Sequence, residues 1–124
     1  MKIHESAENY LETILVLQQR KGSVRSIDIA NELEFSKPSV SVAMKNLRQG
    51  GYIEMDAAGL IRLLPPGQQI AQAVLEKHRM MTEFLVSLGV SPEVAAEDAC
   101  RIEHVLSDES FEAIKQHVLS YSQG

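Results

Sequence analysis

Tryptophan is absent from this 124-residue sequence, cysteine occurs once, and aromatic residues make up only 5% of it. With so few rings, a core of Leu, Ile, Val, Ala and Met on packed helices is expected rather than an aromatic-rich sandwich. The single Cys100 excludes an internal disulfide framework. It agrees with a reducing compartment and leaves its thiol free to act as a thiolate. No uninterrupted apolar run approaches bilayer-spanning length, and the opening MKIHESAEN lacks the apolar core of a secretory signal. A cytoplasmic protein with no membrane association is expected. Base is scarce as well, since 12 Lys and Arg face 17 Asp and Glu for a net charge of −5. That sum argues against a nucleic-acid partner until its distribution is considered. Residues 1–63 carry eight bases and eight acids, whereas residues 64–124 carry four and nine. A neutral half with clustered bases followed by an acidic half predicts two jobs, and the length suits one compact domain or two small ones sharing a core.

What is present is mostly helical periodicity. Ser6 can cap a first helix on which Tyr10, Leu11, Ile14, Leu15 and Leu17 recur at helical spacing, ending near Lys21-Gly22. A short helix from Val24 to Leu33 follows. After Glu34-Phe35, Ser36 is a good N-cap for a helix with Pro38 in its first turn, where backbone N–H groups lack partners anyway. That helix runs through Val40, Met44 and Leu47 to Arg48, and Gly50-Gly51 stops it. Two short helices across a tight turn, the second opening on Lys and small hydroxyl residues, form the pattern of a DNA-reading helix-turn-helix. A plain helical hairpin is the simpler alternative. Tyr52 to Met55 then alternates like a strand, Asp56 to Gly59 supplies a turn, and Leu60 to Leu63 returns. A hairpin placed directly after a helix-turn-helix identifies a winged helix far more specifically than either part alone. Winged helices also mediate protein contacts, so the fold by itself does not establish DNA binding. Pro65-Pro66 opens a long helix reaching Gly89, Ser91-Pro92-Glu93 opens another, and Ser107-Asp108-Glu109 caps a last one with Phe111, Ile114 and Val118 on one side. The expected fold is therefore mostly α, with a winged helix-turn-helix over residues 1–64 and a helical domain over 65–124. His4 and His117, near the ends, receive no chemistry.

The stretch from Ala99 to Ser107, A-C-R-I-E-H-V-L-S, carries the most pointed chemistry. If it is helical, Cys100, Glu103 and His104 share a face and present a thiolate, a carboxylate and an imidazole together. Fe(II), Co(II), Ni(II) and Zn(II) accept that mixture, while Mg(II) and Ca(II) prefer an all-oxygen shell. The alternative is that Cys100 fills the core and Glu103 and His104 make ordinary surface contacts.

Five stretches in concert, S-A-E-N-Y-L-E-T-I, D-I-A-N-E-L…S-K-P-S-V-S, the wing, H-R-M-M-T-E-F-L and D-A-C-R-I-E-H-V-L-S, resemble the family of metal-dependent repressors that includes the diphtheria toxin repressor and the manganese transport regulator. The resemblance runs from about Ser6 to Val118. It implies a homodimer with one winged helix per subunit, a helical dimerisation domain and divalent-metal sites between the two. It further implies a hybrid ligand set. Glu12 and His78 match manganese-type positions, Glu103 and His104 match ligands of both branches, and Cys100 matches the iron-type branch. Asn9 stands where one branch has Asp and the other Met; an amide oxygen can bind a metal but brings no charge. Thr82 and Ala96 replace a carboxylate and a histidine of the iron branch's second site, so one site per subunit is expected. Fe(II) is favoured by the thiolate and Mn(II) comes next, with Co(II), Ni(II) and Zn(II) able to occupy such a site.

The expected function is a metal-dependent repressor of metal-uptake genes acting on double-stranded DNA with a two-fold operator, in which bound Fe(II) or Mn(II) fixes the dimer for operator binding. Recognition helices about 34 Å apart enter successive major grooves. Lys37, Pro38, Ser39 and Ser41 would face base edges, Pro38 by apolar contact with a thymine methyl. Lys45, Arg48 and Arg62 would touch phosphate. The competing reading is a winged-helix dimer that binds DNA without metal control. No enzyme is expected, because the sequence has no HExxH and no evident nucleophile with a base.

Overall fold

The computed structural model describes residues 5–123, and side chains over 6–120; His4 lies outside the described residues. The element order is α1 (Glu5–Lys21), α2 (Ser26–Leu33), α3 (Lys37–Gln49), β1 (Ile53–Met55), β2 (Ile61–Leu63), α4 (Pro65–Ser87), α5 (Pro92–Ile102) and α6 (Asp108–Gln123). The architecture is mostly α, with a winged helix-turn-helix followed by a helical domain. By packing the chain divides into two compact units, Met1–Ala73 and Val74–Gly124.

In the first unit the stripe anticipated on α1, Tyr10, Leu11, Ile14, Leu15 and Leu17, is buried. Each fully buried aliphatic of this kind contributes about 1.5–3 kcal/mol. Helix α1 already runs at Glu5, so Ser6 sits inside the first turn and does not cap it. Helix α2 begins at Ser26 rather than Val24. Val24 is instead fully buried, and its carbonyl accepts the Ile61 N–H at 2.8 Å, so it is held by the wing's second strand. Asp28 fixes the start of α2: its carboxylate accepts the Arg25 N–H at 2.9 Å and pairs with Lys21 at 2.7 Å. These two bonds, the Lys21 bond first, hold its carboxyl below the usual carboxylate range. Helix α3 starts as the sequence requires, with the Ser36 hydroxyl oxygen accepting the Ser39 N–H at 3.3 Å and Pro38 in the first turn. Val40, Met44 and Leu47 face inward.

The wing pairs Ile53 with Leu63, Glu54 with Arg62 and Met55 with Ile61, antiparallel. Ile53 and Ile61 are buried, and Asp56 closes the turn by accepting the Ala58 and Leu60 N–H groups, each at 2.9 Å. Gly67, in the first turn of α4, is required by a close approach: a Cβ there would lie 2.1 Å from the Tyr52 carbonyl oxygen.

The second unit has a leaner core. Val74, Leu75 and Met81 of α4, Ala95 and Ala99 of α5 and Phe111 of α6 are buried, and so is Glu103. Ser91 caps α5 through the Val94 N–H, and Ser107 accepts the Ser110 N–H at the start of α6. Lys77 and Lys115 each lie within 6 Å of the Phe111 ring centroid, at 5.8 and 5.9 Å, and Lys115 forms an ion pair with Glu76. Val86, Leu88, Val94, Val105 and Leu119 remain exposed. Among the described residues no helix is long and apolar enough to cross a membrane.

Candidate metal centre and DNA-reading surface

Helix α5 ends at Ile102, one residue before the chemistry begins. The Glu103 N–H still donates to the Ala99 carbonyl at 2.9 Å, and the Val105 and Leu106 N–H groups both close on Ile102, so residues 103–105 form a turn. Ala95, Ala99 and Glu103 follow one another at four-residue spacing and make the buried stripe of this segment. The stripe carries the Glu103 carboxylate into the interior with it. There its Oε2 lies 3.0 Å from His78 Nδ1 of α4, and its Oε1 lies 3.3 Å from His104 Nε2. The Glu103 side chain is 0% exposed, and among the described residues neither of its oxygens has a hydrogen-bond donor.

The turn is held from α4. Lys77 Nζ donates to the Leu106 carbonyl at 3.5 Å and pairs with Asp108 at 3.3 Å. The residue next to His78 therefore anchors the segment that carries Glu103 and His104. The Thr82 hydroxyl donates to the His78 carbonyl at 2.7 Å, one turn along α4.

A buried carboxylate without a donor costs several kcal/mol when ionised, unless a positive charge reaches it. With two imidazole nitrogens alongside, the donor set suits a divalent transition ion, which takes one imidazole or carboxylate atom from each residue. The residues present fit such an ion.

The second candidate surface is the outer face of α3. Lys37, Pro38, Ser39, Ser41, Lys45 and Arg48 are all exposed, as is Arg62 on β2. The Ser36 hydroxyl donates to Ser39 Oγ at 2.8 Å, so the Ser39 oxygen is oriented while its own proton stays available to an acceptor. A cleft of about 200 Å³ between α2 and α3 is lined by Ser26, Ile27, Lys37 and Ser41. Two of the bases have partners within the unit: Arg48 Nη1 lies 3.9 Å from Met55 Sδ of the wing, and Arg62 lies 3.8 Å from its cross-strand neighbour Glu54. Both are weak contacts that a phosphate would outcompete.

Two family models account for nearly all of the chain. Residues 2–59 match the iron dependent repressor N-terminal DNA binding domain, and residues 65–122 match the iron dependent repressor metal binding and dimerisation domain. The transcriptional regulator MntR of Salmonella typhimurium is 38% identical over 109 residues, 88% of this chain and 69% of that protein. The chain belongs to the iron-dependent repressor family. A further relative is the diphtheria toxin repressor of Corynebacterium diphtheriae, 32% identical over 106 residues, 85% of this chain and 47% of that one. The crystal structure of T. acidophilum IdeR superposes with a TM-score of 0.79 at 30% identity, over 95% of this chain and 55% of that chain. The chain thus spans about half the length of these last two. The family is one of metal-dependent transcriptional repressors, with a DNA-binding domain and a metal-binding and dimerisation domain.

Within that family's ligand pattern the structure treats the expected residues unequally. It brings His78, Glu103 and His104 together. Glu12 is buried and Asn9 half-buried on α1, where the Asn9 carbonyl accepts the Thr13 hydroxyl at 2.8 Å. Cys100 is exposed. Cys100 lies in the turn of α5 whose inward position Ala99 takes, and the helix ends at Ile102. Sequence reasoning passed over Lys77, for which no local signal exists, since its role depends on a carbonyl 29 residues away. It also passed over Val42, whose place four residues after Pro38 was readable from helical spacing.

Proposed function

We propose that this repressor-family chain acts as a homodimer on a two-fold DNA operator and is controlled by Fe(II) or Mn(II), repressing metal-uptake genes. Glu12, His78, Glu103 and His104 are the proposed ligands. The observation that carries the reading is the fully buried Glu103 carboxylate, without a hydrogen-bond donor and flanked by imidazole nitrogens at 3.0 and 3.3 Å. A divalent ion bound there would place a fixed positive charge beside this carboxylate. Glu12, on α1, the helix whose buried stripe packs the helix-turn-helix, is proposed as a second carboxylate ligand on the family pattern. Ligands drawn from both α1 and the α4–α5 segment make metal affinity sensitive to the arrangement of the reading head, and such coupling is usually worth about 1–3 kcal/mol.

A ligand set that omits the exposed Cys100 gives Fe(II) no advantage over Mn(II). Two imidazoles and two carboxylates serve either ion. Asn9 is proposed as a position for an outer amide or a water rather than a charged ligand. On the DNA side, Lys37, Pro38, Ser39 and Ser41 are proposed to meet base edges, and Lys45, Arg48 and Arg62 to meet phosphate. The exposed apolar residues of the second unit, Val86, Leu88, Val94 and Leu119, support pairing with a second copy of the chain, as the matched dimerisation domain implies.

The test is a DNA-binding titration against Fe(II), Mn(II), Co(II) and Zn(II) without oxygen, with reversal by chelator. Tight binding only in the presence of metal is expected. A second reading, DNA binding without metal control, draws on the exposure of Cys100 and the uncharged Asn9, and an operator affinity indifferent to chelator would establish it.

A further inference from the structure

Helix α3 buries Val40, Met44 and Leu47, and most of the side chains it exposes are polar. Val42 is 60% exposed. At about 100° per residue it stands some 160° around the helix from Val40, at the middle of the outward face, flanked by Pro38, Ser39, Lys45 and Asn46, all exposed. An isolated apolar side chain on an ordinary surface needs no explanation. This one occupies the centre of the surface proposed above to enter the major groove, where a polar residue would be the expected reader.

Valine has neither donor nor acceptor, so it cannot read the nitrogen and oxygen atoms of a base edge. The one apolar group the major groove offers is the C5 methyl of thymine. A β-branched side chain in a helix is also confined to one strongly preferred rotamer, so its two methyl groups are held in a fixed direction before any partner arrives. Pro38 and Val42 lie four residues apart on the same face, about 6 Å along the helix axis. That reach covers neighbouring base-pair steps, each about 3.4 Å.

We propose that Val42 is a specificity-determining residue, which selects a thymine in each operator half-site by contact with its C5 methyl, separate from the thymine met by Pro38. The proposal rests on the DNA-binding reading and adds the chemistry of one recognised position to it.

The test begins by selecting preferred duplexes from random DNA with the full chain and Mn(II), and then replaces each thymine in turn by deoxyuridine, which removes only the methyl. At one position per half-site the loss of the methyl should weaken the wild-type chain about fourfold, the size expected for one buried methyl group. Val42→Ser should be indifferent to the methyl at that position, while retaining the wild-type response at other thymines. Val42→Ile, which keeps the apolar contact, should retain the wild-type preference. If Val42→Ser responds to every deoxyuridine as the wild type does, or no selected half-site contains a thymine that responds, the proposal is wrong. If no duplex is selected with any of the four ions, the DNA-binding reading itself fails, and that outcome is distinct from a selected site at which Val42 makes no difference.

Discussion

The two candidate sites are built on opposite principles. The outer face of α3 is contiguous in sequence, exposed, and complete as soon as its helix forms; its residues are solvated, and the inward Val40, Met44 and Leu47 hold the helix in place. The cluster of His78, Glu103 and His104 joins segments far apart in the chain and buries a carboxylate with no hydrogen-bond donor. The outer face of α3 is therefore complete as it stands, whereas on the proposed reading the cluster is under electrostatic tension that a cation would relieve. That difference suits the sensor proposed above, in which the cluster would gain from a bound cation and the outer face of α3 would be indifferent to it.

The largest effect should come from removing the tension itself. Glu103→Met should lower metal affinity by more than about 100-fold, beyond the 10- to 100-fold typical of losing a mere outer partner. The same change should raise metal-free stability by about 1–3 kcal/mol, since a buried carboxylate without a hydrogen-bond donor among the described residues is replaced by an apolar side chain of similar volume. Calorimetric metal titration and thermal denaturation without metal check both halves, and a less stable metal-free variant would contradict the tension. Next in size, Lys37→Ala combined with Ser39→Ala should weaken operator binding about tenfold and make its salt dependence shallower by about one charge. Metal affinity of that variant should not move. If it does, the two sites are not built separately.

A smaller effect is expected from Lys77→Met, which frees the turn after α5 from α4. Metal affinity should fall about fivefold, in keeping with one charge-assisted bond at a partly exposed site, and Lys77→Arg should restore most of it. Loss of melting temperature with unchanged metal affinity would make Lys77 structural only. The smallest effect concerns the reading half alone. Asp28 has its carboxyl lowered by the Lys21 bond and then the Arg25 N–H. Because the folded value lies below the unfolded one, its contribution is fully present above the ordinary carboxylate range, about pH 4, and disappears as pH falls through the lowered value. The stability difference between the wild type and Asp28→Asn should be about 1 kcal/mol near neutrality, as for other helix-start bonds, and should vanish in acid. A difference that persists at pH 2 would rule this out.

Much of the architecture was legible residue by residue. Ser36, Ser91 and Ser107 mark helix starts because an N-cap satisfies its own local N–H groups. The wing follows from alternation on either side of Asp56 to Gly59, and the outward face of α3 from helical spacing. The exceptions are instructive. Val24 has the local look of a helical residue, yet the Ile61 N–H claims its carbonyl. Cys100, Glu103 and His104 follow at helical spacing, yet the residues buried along that segment are Ala95, Ala99 and Glu103, while Cys100 is exposed.

The amino-acid sequence alone determined the succession of helices, the hairpin and the outward face of α3, because caps, turns and periodicity act between neighbours a few residues apart. Only the tertiary structure decided which titratable side chains turn inward and which base anchors the turn that carries them. Burial and electrostatic pairing depend on what lies across the gap, and a helix's own sequence does not contain its partner.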